Sequence, residues 1–185
     1  MTVQSSFLTD VVTLRQRARQ HIEEGAITDS YTANRETVIR LLNDALATEL
    51  LCVLRYRRHH FMAAGLSAKS VAQEFMEHSV EEQAHADEIA TRIVQLRGEP
   101  DFSPDSLSSR SHAEYVEGVS LVDMIKENLV AERIAIDSYR EMITYLGESD
   151  TTTRRMLEGI LAMEEEHADD LLTLVEKYVP TDNKS

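Results

Sequence analysis

The sequence predicts an all-α fold: a four-helix bundle with one long crossover and an extra N-terminal helix. Three observations carry that prediction. The 185 residues include only 3 Pro and 6 Gly, and 5% are aromatic, a composition that favours helices over a turn-rich β fold. Apolar residues recur at three- and four-residue spacing along four long stretches. The one breaker-rich segment, 98–111, holds Pro100, Pro104 and five serines and falls between the second and third of them. It is too short to divide two domains and suits a crossover between two helical hairpins.

The elements follow in order. A first helix is expected over about 7–24, where Leu8, Val11, Val12, Leu14 and Ile22 recur and Gly25 supplies a stop. Residues 26–34, with Asp29, Ser30 and Thr32, read as a connection. The first bundle helix spans about 35–64 on the stripe Val38, Leu42, Ala45, Leu46, Val53, Tyr56 and His60, closed by Gly65. Ser67 is placed to cap the second, about 68–97, which ends at Gly98, Glu99 and Pro100. A short amphipathic helix is expected near 113–116. The third bundle helix covers 121–146 and stops at Gly147. Asp150 and Thr151 are placed to cap the fourth, which runs to about Val179 before Pro180. The expected organisation is thus an N-terminal helix and connection (1–34), the bundle (35–180) and a polar tail (181–185).

Composition also excludes several functions. With 19 Lys and Arg against 33 Asp and Glu, the formal charge is −14, and no basic patch offsets it. Nucleic acid is therefore not an expected partner. A single Cys52 provides neither an internal disulfide nor a sulfur-rich zinc site. The N-terminus has no basic segment leading into an apolar run, and no stretch approaches the roughly 20 apolar residues of a membrane span. A soluble, cytoplasmic protein is expected.

The informative feature is where the carboxylates fall. Glu49 has Leu42, Ala45, Leu46, Cys52, Val53 and Tyr56 at its helical neighbour positions. Glu132 is similarly surrounded by Ile125, Leu129, Ala135, Ile136 and Tyr139. Burying an ionised carboxylate costs several kcal/mol unless it is paired or binds a metal. Partners for the two include Arg55, Arg133 or Lys126 as salt bridges, or a metal shared with the other two helices. Those helices carry Glu82-Gln83-Ala84-His85 and Glu164-Glu165-Glu166-His167. A Glu and a His three apart point the same way, so each pair can reach one metal. Glu165 competes with Glu164 for the inward face, but only Glu164 stands three before His167. The spacings Glu49 to Glu82 (33 residues) and Glu132 to Glu164 (32 residues) make the two halves look like a repeat. Two facing repeats would build a dinuclear site from four Glu and two His, a hard set that suits iron or manganese.

On these residues the sequence resembles the ferritin-like di-iron carboxylate proteins, in the bacterioferritin and mini-ferritin (Dps-like) branch. The resemblance covers about 35–179. It implies that Glu49 and Glu132 are terminal carboxylates, Glu82 and Glu164 bridging ones, and His85 and His167 the imidazole ligands of two Fe ions per chain, with Mn possible. Tyr56 matches a tyrosine near the metal centre in many ferritins. Among the other histidines, only His78, one turn before Glu82, is a candidate for outer support of the metals. Haem-binding bacterioferritins have a methionine where this chain has Gln83, so no haem is expected there. Only 18 residues follow His167, room to finish the fourth helix but not for a fifth, which leans toward a twelve-subunit over a 24-subunit homo-oligomeric cage.

The function implied is that of a ferroxidase and iron store, with Fe(II) oxidised at an intrasubunit site by O2 or H2O2. A non-storage di-metal oxidoreductase, a peroxidase or manganese catalase-like enzyme, would use nearly the same ligands. A DNA-protecting shell is disfavoured, because the first ten residues hold no Lys or Arg and the segment after Pro180 only Lys184.

Overall fold

The computed structural model describes residues 9–63 and 68–178, which form helices and turns with no strand among them. None of these helices is long and apolar enough to cross a membrane. The expected residues Leu8, Gly65, Ser67, Val179 and Pro180 and the tail 181–185 lie outside the described residues.

The helix expected over 7–24 is not continuous. Helix α1 covers only Val11–Arg17, capped by Asp10, whose carboxylate accepts from the Thr13 N–H at 3.0 Å. A separate 3-10 turn follows at Ile22–Glu24, entered through His21 in the left-handed region at φ 48°. Among the described residues the apolar spacing here covers nothing: Val11, Val12 and Leu14 are 59, 63 and 51% exposed. Without a surface to bury against, so short an amphipathic helix gains little.

The four long helices appear close to expectation. Helix α2 spans Arg35–Met62 behind an Asn34 cap, and α3 spans Lys69–Gln95. At the end of α3 a Cβ on Gly98 would come within 2.8 Å of Ile39, so only glycine lets this corner close on the start of α2. Helix α5 spans Leu121–Leu146 behind Ser120, and α6 spans Thr151–Tyr178. Asp150 caps α6 by accepting from the Thr153 N–H at 2.9 Å, and it also accepts from Arg92 on α3 and from the Tyr31 hydroxyl, both at 2.9 Å. One carboxylate thus ties the α5–α6 corner to α3 and to the N-terminal connection. Helices α2 and α3 pair along their length, as do α5 and α6, and the two hairpins meet face to face.

In the crossover, the short helix lies at a different place from the one expected. A 3-10 turn at Pro104–Ser106 runs into α4, Leu107–Arg110. Proline at the first position, with its fixed φ, starts the turn there. Residues 113–116 are not helical. Their carbonyls serve α2 instead: Arg55 donates to Glu114 O at 2.9 Å, and His59 Nε2 lies 3.1 Å from Val116 O and from Glu117 O.

The apolar core is in two parts. One cluster holds Leu42, Leu46, Ile89, Ile93, Met142 and Leu157 towards one end of the bundle. The other holds Leu51, Phe75, Met124, Ile125 and Leu171 towards the other end. On each long helix the residues between the two clusters are polar and buried: Glu49, then Glu82 and His85, then Glu132, then Glu164 and His167.

Candidate metal centre

All six ligand candidates from the sequence converge in that polar layer. The four carboxylates are essentially unexposed, His167 is buried, and His85 retains 8% exposure. Their ligand atoms form two overlapping groups, each with all atoms within 4.8 Å of one another. One is Glu49, Glu82, His85 and Glu164; the other is Glu82, Glu132, Glu164 and His167. Glu82 and Glu164 belong to both, as bridging carboxylates must.

The layer has more acceptors than donors. Glu49 Oε2, Glu82 Oε1, Glu132 Oε2 and both Glu164 oxygens are buried without a hydrogen bond among the described residues, as is His167 Nδ1. His85 Nδ1 lies 3.1 Å from Glu164 Oε1 and 3.3 Å from Glu49 Oε2 and from Glu82 Oε2. One nitrogen cannot donate along three directions, so these oxygens converge on a space rather than on a donor. Orphaned buried acceptors are expensive, and a cation between them removes the expense. The residues therefore fit a pair of divalent metal ions.

Salt bridges do not supply the charge. Arg55, the basic residue nearest Glu49 in sequence, spends its guanidinium on Asn128 Oδ1 at 2.9 Å and on the Glu114 carbonyl. Among the described residues neither Glu49 nor Glu132 pairs with Arg or Lys. Glu165, the competitor of Glu164, pairs with Arg140 at 2.6 Å on the exposed side of α6.

Two tyrosines hold Glu132 and Glu49. The Tyr56 hydroxyl on α2 donates to Glu132 on α5, and the Tyr139 hydroxyl on α5 donates to Glu49 on α2. Burial, and then the adjacent carboxylate, raises each phenol well above its ordinary pKa, so both remain donors. Tyr56 was legible in the sequence; the hydroxyl role of Tyr139 was not. The signal existed, because Tyr139 follows Glu132 by seven residues as Tyr56 follows Glu49. His78 packs here too, its ring stacked on His167 with centroids 4.1 Å apart and its Nδ1 3.2 Å from the Tyr56 oxygen. Burial, and then His167, lowers its pKa to about 3.

Protonation follows from crowding. Burial, then the charges of Glu164, Glu49 and Glu132, pushes Glu82 well above the usual carboxylate range, and burial with the Glu164 charge does the same to Glu132. Glu164 moves the other way: burial opposes its charge, but the approach of His167 and His85 overrules it and lowers its pKa. For both histidines burial disfavours the charge and is outweighed. Glu164, Glu49 and Glu82 raise His85, while Glu164 and Glu81 raise His167. The metal-free layer thus holds protons that a metal would displace.

A buried cluster of four Glu and two His within a four-helix bundle, with one crossover, defines the ferritin-like class of carboxylate proteins. The chain belongs to the ferritin family, whose Ferritin-like domain matches residues 39–179. Bacterioferritin from Rhodobacter capsulatus is 31% identical over 142 residues, 76% of this chain and 84% of that protein. Bacterioferritin BfrA from Mycobacterium tuberculosis is 32% identical over 140 residues, 75% and 84%. Among solved structures, the dodecameric thioferritin of Bacteroides fragilis, a bacterioferritin-related protein, aligns with TM-score 0.73 and 30% identity, over 80% of this chain and 94% of that one. The Rhodobacter capsulatus bacterioferritin, described with a metal-free dinuclear site and a haem iron, aligns with TM-score 0.70 and 29% identity, over 77% and 86%. Dps from Thermosynechococcus elongatus, 21% identical with TM-score 0.73, shares the fold.

Proposed function

We propose that the protein is an iron-storage ferroxidase that takes two Fe(II) per chain as substrate between Glu49, Glu82, His85, Glu132, Glu164 and His167. The observation that carries this reading is the pair of four-residue groups sharing Glu82 and Glu164, lined by buried oxygens that no donor satisfies. When two Fe(II) are bound, each gives up one electron, and the pair of electrons with two protons reduces O2 to H2O2 or H2O2 to two waters.

The chain supplies the geometry for this. Glu82 and Glu164 face both positions, so they hold two cations close together. Tyr139 and Tyr56 each occupy one oxygen of Glu49 and of Glu132, fixing the carboxylates while leaving the second oxygen free to ligate. Six ligands with four carboxylates favour the higher-charged ferric product. Protons held by Glu82 and Glu132 leave as the cations enter.

The reading extends to a homo-oligomeric cage, twelve subunits in preference to 24, storing the ferric product in a cytoplasmic setting. The dodecameric Bacteroides fragilis relative supports twelve. It also extends to the absence of haem beside Gln83, whose amide donates to Asp87 at 3.0 Å; hemin addition is expected to give no Soret shift. The main test is an anaerobic Fe(II) titration of the metal-free protein, followed by air and ferric absorbance. Saturation near two irons per chain and rapid oxidation are expected. No stoichiometric binding would refute the site.

A further inference from the structure

Outside the six ligand candidates, one group of side chains has the same imbalance of acceptors over donors. His78 on α3 is 2% exposed, and its two ring nitrogens face different surroundings. Nδ1 points inward, 3.2 Å from the Tyr56 oxygen. That hydroxyl has one proton and donates it to Glu132, so its oxygen accepts from His78, and the ring proton sits on Nδ1. Nε2 is left with its lone pair. It faces Glu74 Oε1 at 3.5 Å, one turn earlier on α3, and Asp170 Oδ2 at 3.9 Å on α6. Both distances exceed a normal N–H···O hydrogen bond, and Nε2 makes none among the described residues.

A lone pair and two carboxylate oxygens thus converge within 4.8 Å of one another with no donor among them. A protonated imidazole would draw the carboxylates in to hydrogen-bond distance. A cation would use all three as they stand. The imidazole is nearly sealed, while the Glu74 and Asp170 side chains are 33 and 50% exposed, so the group opens outward.

We propose that Glu74, His78 and Asp170 form a third cation site, at the solvent edge of the dinuclear centre, for a divalent transition-metal ion such as Fe(II). One imidazole with two carboxylates is a mixed set that such ions accept readily. Its cation-binding claim stands apart from the ferroxidase reading; its role rests on that reading. An Fe(II) held here waits one imidazole away from the inner pair, since the His78 ring stacks on His167 and its far nitrogen reaches the tyrosine that fixes Glu132. Occupancy of the outer position is then felt at the inner one through His78, Tyr56 and Glu132.

The test uses the assembled, metal-free full chain titrated anaerobically with Co(II), read by calorimetry and by the visible absorption of the bound ion. The double variant Glu74→Gln/Asp170→Asn removes the outer charges and touches none of the six inner ligands. It is expected to bind one Co(II) per chain fewer than wild type, with the inner two retained. His78→Ala is expected to lose the same equivalent. Equal stoichiometry in wild type and double variant overturns the proposal. Should wild type bind a single Co(II) that the double variant loses, the outer site stands and the dinuclear reading falls.

Discussion

The two hairpins, α2–α3 and α5–α6, make matching contributions to the centre and differ in what surrounds it. Each provides a terminal Glu, a Tyr seven residues later that reaches across to the other hairpin's Glu, and a Glu-x-x-His pair. The match ends one turn before the shared carboxylates. Four residues before Glu82 stands His78, whereas four before Glu164 stands Ile160, packed in the apolar core. The six ligand candidates are therefore pseudo-symmetric, but their surroundings are not.

The largest effect is expected where the hairpins share ligands. Glu82→Gln or Glu164→Gln should abolish tight binding of both inner cations. Fe(II) oxidation should fall by more than about 100-fold, beyond what loss of an outer partner costs. Stopped-flow absorbance after anaerobic loading measures this. If either variant retained one tight ion and near-normal rates, the carboxylates would not be shared.

Next come the terminal carboxylates. Glu49→Ala and Glu132→Ala should each reduce the inner stoichiometry from two to one. Only Glu132→Ala should also weaken the outer equivalent, because it releases the Tyr56 hydroxyl on which His78 leans. Identical titration curves for the two variants would break the asymmetry. The tyrosines sharpen the same contrast at smaller scale. Tyr56→Phe and Tyr139→Phe should each weaken inner cation affinity by roughly 10-fold, the lower range for an outer partner. Competition with a metal-sensitive dye would report both.

The smallest effect is on stability without metal. Glu82 and Glu132 titrate above the ordinary carboxylate range in the folded chain. The stability from their bound protons is full below the unfolded carboxylate pKa and is lost as pH rises through the raised values. The metal-free protein should thus melt progressively lower on the alkaline side, whereas the Zn(II)-loaded protein should not. Glu132→Gln puts a permanently neutral amide where the carboxyl must hold a proton, and should raise the metal-free melting temperature on the alkaline side by roughly 2–4 °C for about 1 kcal/mol. A variant that melts below the metal-free wild type would contradict this.

Much of this is legible in the sequence alone. Helix α5 falls at the expected 121–146, because Ser120, Gly147 and a clear stripe mark its ends and face. The six ligand candidates were legible because a carboxylate inside an apolar stripe is costly and so conspicuous. The outer environment was legible only in part, through Tyr56 and His78. Tyr139 hides among residues that also pack as core, and its hydroxyl matters only once Glu49 is known to lie opposite. His78 was legible from its place one turn before Glu82, but its neighbours Glu74 and Asp170 belong to different helices and sit on partly exposed faces. The N-terminal helix was over-extended because periodicity identifies an apolar face without telling whether anything covers it. The crossover misled for the opposite reason: residues 113–116 have helical chemistry, but Arg55 and His59 claim their carbonyls.

The polar layer between the two apolar clusters also acts as a ruler. Each long helix carries its buried acidic residue at one height only, with leucine, isoleucine or phenylalanine above and below. Sliding α6 by four residues, about 6 Å, would set Ile160 among the carboxylates and drive Glu164 into hydrocarbon. Apolar side chains alone tolerate such slips, since one leucine packs much like the next; an unsatisfied carboxylate does not. The residues proposed to receive iron therefore also fix how far each helix stands along its neighbours, and they do so before any metal arrives.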